Sequence, residues 1–139
     1  MIGAVVLAAG QASRMGEAKA VADIGGRTAL ERVCGALRGA GVDTIVVVRG
    51  YHAELVEREA VRLGVRSALN EDPARGMLSS VQAGIAALGP ADGFFVIPVD
   101  YALTRTEVLI MLLEAFASGG FDVVHPCCAG VRGHPPLNT

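Results

Sequence analysis

Apolar and polar positions alternate along this chain in blocks of two kinds. An apolar run from Met1 to Ala9, centred on Val5, Val6 and Leu7, has the length of a strand, and it passes into Ala8 to Gly16, a Gly-bearing segment without sustained helical period. Thr28 with Glu31 three residues later forms a capping-box pattern, after which Leu30, Val33, Cys34 and Leu37 recur at helical spacing until Gly39 and Gly41. Thr44 to Val48 is a β-branched run suited to a strand buried on both faces, and Ala53 to Leu63 follows as a helix with Gly64 as its cap. Val65 to Leu69 predicts a third strand, and Asn70 to Gly76 a polar turn. Met77 to Leu88 returns to helical spacing through Met77, Val81, Ile85 and Leu88 and predicts a helix. Phe94 to Val99 is a fourth strand. Thr104 and Glu107 make a second capping-box pattern before a helix over Val108 to Phe116, closed by Gly119 and Gly120, and a fifth strand begins at Asp122 to Val124. Strand and helix alternating throughout predict an α/β fold, doubly wound, with a mainly parallel sheet and helices on both faces. In such sheets ligands collect beyond the carboxyl ends of the strands.

Composition narrows the choice of partners. A chain of 139 residues suits one domain, and 52% hydrophobic with 19% charged residues excludes disorder. The longest uncharged run, Gly76 to Ala91, is shorter than a membrane span and carries Ser79, Ser80 and Gln82. No basic stretch precedes the apolar start, so that run reads as a strand and not a signal peptide, and the expected location is the cytoplasm. Cys34, Cys127 and Cys128 offer no even disulfide framework, which fits a reducing compartment. Twelve basic against fourteen acidic residues give a net charge of −2, with no overall positive field to gather nucleic acid. A small anionic ligand needs a local basic site.

The segment after the first strand supplies one. Leu7, Ala8, Ala9 and Gly10 let backbone approach a flat or charged ligand, while Arg14 can grip phosphate oxygens in a fork and Lys19 can act as a point charge. The spacing lacks the G-x-G-x-x-G of a dinucleotide fold, and no Gly-Lys-Ser/Thr triplet completes a Walker-type loop. Asp100 stands directly after the apolar run Phe94 to Val99, where a carboxylate can hold a metal ion or cap the next turn. Gly76, Ser79 and Ser80 can receive a base and ribose through backbone and hydroxyl groups, or simply begin a helix. Asn70 and Asp72 can border that pocket or form a turn.

Four stretches in order, Leu7-Ala8-Ala9-Gly10 with Arg14-Met15-Gly16 and Lys19, Asn70 to Ser80 with Gly76-Met77-Leu78-Ser79-Ser80, Val96 to Asp100, and Arg132-Gly133-His134-Pro135, together resemble the motifs of the MobA-like nucleotidyltransferases. That resemblance covers essentially the whole chain. It implies a nucleotide-diphospho-sugar transferase fold and transfer of a nucleoside monophosphate from an NTP to a phosphorylated acceptor such as molybdopterin, with release of pyrophosphate. It implies Arg14 on the β- and γ-phosphates, Lys19 on the α-phosphate, Asp100 as ligand of Mg²⁺, and His134 on the acceptor side. The first and second loops look more like the cytidylyltransferase branch, favouring CTP over GTP.

Two departures from the family pattern stand out. Tyr101-Ala102 follows the aspartate where many relatives have a polar residue and proline, and Thr139 ends the sequence where relatives continue through further strands and helices. The expectation is therefore a single domain over residues 1–139 lacking the C-terminal part of the family fold, with self-association through uncovered apolar surface. A non-catalytic nucleotide-binding module is the alternative, and a dinucleotide-binding domain with Arg49 near a 2′-phosphate is a third. Of the histidines, His52 reads as a surface residue, while His125 and His134 bracket Cys127 and Cys128 at a spacing that matches no standard zinc site.

Overall fold

The computed structural model describes residues 1–11 and 18–139. Its first strand, β1 (Ile2–Ala8), carries two apolar faces because successive side chains point to opposite sides. Ala4, Val6 and Ala8 meet a large core built with α1 (Ala29–Gly39), α2 (Ala53–Leu63) and α4 (Thr106–Ala117). Val5, Leu7 and Ala9 meet a smaller core beneath α3 (Met77–Leu88). Among the described residues, three helices thus cover one face and one covers the other. The lone helix approaches closely through Gly84, where an added Cβ would stand 2.2 Å from Val5 Cγ1 and 2.9 Å from Val48 Cγ2.

The sheet also contains β4 (Thr44–Arg49), β5 (Arg66–Leu69), β6 (Gly93–Pro98), β7 (Val123–Val124) and β10 (Leu137–Asn138), in the order β5-β4-β1-β6-β10-β7. The first four run parallel, as alternation with helices requires. The fifth predicted strand is present as β7, but β10 lies between it and β6, antiparallel to both. Leu137 is fully buried there, opposite Phe95 and Val124. A two-residue strand has no period to read, which is why the sequence pattern does not reveal it. Two small ribbons complete the topology: β2 (Asp23–Ile24) with β3 (Arg27–Thr28), and β8 (Cys127–Cys128) with β9 (Val131–Arg132).

The first capping pattern forms in part. Thr28 Oγ1 accepts from the Glu31 amide at 3.1 Å and donates to Glu59 Oε1 at 2.7 Å, while the Glu31 carboxylate turns to Arg62 at 3.0 Å. The second does not form. The Thr104 hydroxyl donates to the Tyr101 carbonyl at 2.7 Å, so the cap position falls one residue later, at Arg105, with no side-chain cap bond, and the helix begins at Thr106. Closing the turn behind Asp100 takes the hydroxyl that would have capped the helix. The helix predicted over Met77 to Leu88 is present as α3, and of its apolar recurrence Leu88 and Val81 pack on the sheet while Met77 is 66% exposed and Ile85 38%.

Candidate active site

β1 leads by α1 to β4 and β5 on one side, and the chain then crosses to β6 on the other. The strand order therefore reverses between β1 and β6. Side connections leave in opposite directions at such a point and open a crevice at the carboxyl ends. Here it is a cleft of about 250 Å³. Leu7 to Gln11 form one wall, Ala18 to Ala20 and Pro98 to Asp100 another, and Tyr51, Pro73, Gly76, Met77 and Ser80 close it. The Val99 amide donates to the Leu7 carbonyl at 3.0 Å and the Tyr51 amide to the Ala9 carbonyl at 3.3 Å, which anchors the three strand ends to one another. Gly50 permits this approach, since a Cβ there would lie 2.9 Å from both Ala9 and Pro73.

Lys19 opens a 3-10 turn, Lys19–Val21, held by buried Ala18 and Ala20, and its Nζ lies 3.3 Å from Asp100 Oδ2. Eighty-one positions apart in sequence, the predicted cation and the predicted metal ligand meet across the cleft. Both side chains are about half exposed, so water screens their attraction and little free energy holds them together. Each is free to exchange its partner for a ligand of stronger charge. Arg14 lies outside the described residues.

The second loop divides its labour. Asn70, buried at the end of β5, gives both amide protons away, to Ser79 Oγ and Ser80 Oγ at 2.9 Å each, and accepts from the Asp72 amide at 3.1 Å. Ser79 Oγ donates to the Gly76 carbonyl at 2.6 Å. Gly76, at φ 98°, turns the chain into α3 in a conformation that L side chains avoid. Of the four residues expected there, Gly76 and Ser80 line the cleft, while Asn70 and Ser79 stand behind them as support. Because Asn70 satisfies the acceptor side of Ser80, the Ser80 hydroxyl proton is available to a ligand.

His134 is not on the cleft wall. Its ring stacks on Tyr101 with centroids 4.6 Å apart and 29° between planes, which puts it beside the residue that follows Asp100. His52 is exposed at φ 57° before α2. His125 Nδ1 is buried without a hydrogen-bond partner, and the two cysteines after it are exposed. Among the described residues no three His, Cys, Asp or Glu side chains gather as a metal site. Asp100 alone suits a hard cation that keeps water and phosphate oxygens as its other ligands, the usual habit of Mg²⁺. Arg49 is engaged with Ser67 Oγ at 3.3 Å and with Glu57 at 3.6 Å, so it does not present a free guanidinium for a 2′-phosphate. Tyr51, Pro73 and Met77 went unforeseen in the cleft. Tyr51 was within reach of the strand-end rule, since it follows β4, whereas nothing in a helical period marks Met77 as turned outward.

Comparison with known proteins agrees with this fold. Residues 4–138 match the MobA-like NTP transferase domain. The chain is 30% identical over 133 residues to a probable molybdenum cofactor guanylyltransferase of Bacillus cereus (strain Q1), covering 96% of this chain and 64% of that protein. It is 33% identical over 137 residues to the bifunctional protein GlmU of Caulobacter vibrioides, covering 96% of this chain and 29% of that one. Against three such bifunctional relatives it spans between 28% and 30% of their length. In structure it is similar to Rv0371c of Mycobacterium tuberculosis H37Rv in complex with manganese, with a TM-score of 0.81 at 24% identity, over 99% of this chain and 70% of that one. That likeness is one of fold.

Proposed function

Since the chain belongs to the MobA-like NTP transferase domain family, we propose that it transfers a nucleoside monophosphate, CMP in preference to GMP, from an NTP to a phosphorylated small molecule such as molybdopterin. The observation that carries this is the meeting of Lys19 and Asp100 at 3.3 Å in the cleft where strand order reverses. An oxygen of the acceptor phosphate attacks the α-phosphorus in line, the bond from that phosphorus to the α,β-bridging oxygen breaks, and pyrophosphate leaves with the electron pair. Such a reaction needs alignment and charge neutralisation more than covalent help. Lys19 leaves Asp100 for a non-bridging α-oxygen, where its charge counts most as the transition state forms. Asp100, so released, would hold a divalent cation, which supplies neutralisation of the phosphates when bound. Arg14 serves the β- and γ-phosphates by resemblance. Leu7 to Gly10 and Gly76 give backbone contacts to the nucleotide, and Ser80 gives a hydroxyl. His134 with Tyr101 borders the acceptor. The preference for CTP rests on the Leu-Ala-Ala-Gly and Gly-Met-Leu-Ser-Ser loops, and GTP stands second through the guanylyltransferase relative. Residues 1–139 act in this proposal as one nucleotidyltransferase-like domain, alone or self-associated, in the cytoplasm.

Thermal stabilisation by CTP, GTP, ATP, UTP and NADP⁺, each with and without Mg²⁺, tests the nucleotide half, and pyrophosphate release with a phosphorylated acceptor tests the transfer. A Mg²⁺-dependent shift led by CTP is expected, of about 2.7 kcal/mol at a hundred times Kd. Lys19→Ala and Asp100→Ala should each lower turnover by roughly 10²- to 10³-fold. Stabilisation without pyrophosphate release would favour a nucleotide-binding module instead, and a response to NADP⁺ alone would overturn both.

A further inference from the structure

A second groove, of about 370 Å³, lies between the start of α1 and the start of α4, outside the cleft. Its size falls in the range of small-molecule pockets, about 300–1,000 Å³. Three arginines from three separate elements line it: Arg27 on β3, Arg32 on α1 and Arg105 at the cap position of α4. The geometry points to a binding site for a phosphate group, one that the transfer reaction does not use.

The residues argue this in sequence. Arg32 is held in place by donating Nε to the Ile24 carbonyl at 2.5 Å and Nη2 to the Gly25 carbonyl at 3.1 Å. Those two bonds tie the guanidinium to the β2–β3 ribbon that also carries Arg27, so one of the three charges is pre-positioned, and preorganised forks lose less entropy on gripping an oxyanion. Arg105 comes from the opposite wall. Among the described residues its one anionic neighbour is Glu107, 3.6 Å away and, like it, mostly exposed. The groove therefore carries three positive charges against one negative. The first turn of α4 has no side-chain cap, and its partial positive charge adds to the arginines. Ala102 to Thr104 form the remaining wall, so one short turn separates this groove from Asp100 in the cleft.

A phosphate dianion fits this arrangement, since Arg27 and Arg105 offer paired N–H donors to its oxygens and Arg32, with Nε and Nη2 spent on the ribbon, keeps Nη1 for a further one. The phosphate can be free inorganic phosphate or the end of an organic phosphomonoester, whose carbon tail would find Leu103, 74% exposed on the rim. Titration of isotope-labelled protein at constant ionic strength, first with inorganic phosphate and then with glycerol phosphate, followed by amide resonances, tests the site. Saturable shifts are expected at Thr106 and Glu107, separate from any at Gly10 and Lys19. The double variant Arg27→Ala/Arg105→Ala should weaken this binding at least about a hundredfold, roughly tenfold for each of the two lost charge-assisted bonds. Glu107→Gln should tighten it about threefold, a gain that damaged folding cannot imitate. A tighter fit for glycerol phosphate, with movement at Leu103, identifies the organic source, and equal affinities identify the free ion. Shifts confined to Gly10 and Lys19, or one affinity in the unaltered chain and all variants, would overturn the site.

Discussion

Asn70 shows how one side chain decides the form of a pocket it does not enter. Its amide spends both protons on Ser79 and Ser80 and its oxygen on the Asp72 amide, all in a buried setting where unmade bonds are costly. Asn70→Ala should therefore destabilise the protein by about 1–3 kcal/mol in urea denaturation, because three polar groups lose a partner at once. Nucleotide affinity should fall with it, as Gly76 and Ser80 lose their support. An unchanged denaturation midpoint would show that water replaces the amide without loss. Lys19 and Asp100 are the opposite case. Their exposed pair adds little to stability, so their substitutions should leave the midpoint nearly unmoved while turnover collapses.

At the scale of elements, α3 is, among the described residues, the one helix on its face of the sheet. Gly→Ala in a helix interior ordinarily stabilises, by about 1 kcal/mol. At Gly84 the new methyl would stand 2.2 Å from a core valine, and the branched side chain of Val5 cannot swing aside in a strand. Overpacking costs about 1–3 kcal/mol, so Gly84→Ala should destabilise on balance, by urea denaturation. On the other face α1 and α2 are joined by a polar clasp of Thr28, Glu59, Arg62 and Glu31. The Arg62 guanidinium, aided by the Thr28 hydroxyl and against burial, holds the Glu59 carboxyl below the usual range. A depressed carboxyl stabilises the fold above its ordinary pKa and loses that contribution as pH falls through the folded value. Glu59→Gln should flatten the acid side of the stability profile, measured by denaturation at decreasing pH. A profile as steep as before would place the acid sensitivity elsewhere.

Cys34 reports on the whole molecule. It sits on the core side of α1, 1% exposed, and burial pushes its thiol from 9.0 up to about 11. A thiol raised in the folded state keeps its proton while the unfolded chain has lost it. Stability should accordingly fall as pH rises from 9.0 to about 11, with a slope of at most about 1.4 kcal/mol per pH unit. The difference between the unaltered chain and Cys34→Ala isolates this slope, and parallel curves would show that Cys34 ionises without opening the core. For the same reason Cys34 should resist alkylation until global unfolding, whereas exposed Cys127 and Cys128 should react at once.

Local pattern was enough for the elements that carry their own signature. The bounds of α2 follow from its cap at Gly64 and those of α3 from apolar helical spacing after a polar turn, and the parallel strands follow from β-branched runs between helices. Membership of the family was also legible, since it rests on short ordered motifs. Tertiary structure decided everything that depends on distant partners: β10 slips between β6 and β7, the Thr104 hydroxyl serves a turn instead of a helix, and Met77 faces out of α3. The hydrogen bonds of Asn70 and Ser79 depend on distant partners in the same way, as do the encounter of Lys19 with Asp100 and the gathering of three arginines behind the Asp100 turn. The physical reason is range. Propensity, capping and periodicity act over a few residues, whereas strand order, pocket walls and charge pairs arise only when segments far apart in sequence are packed against each other.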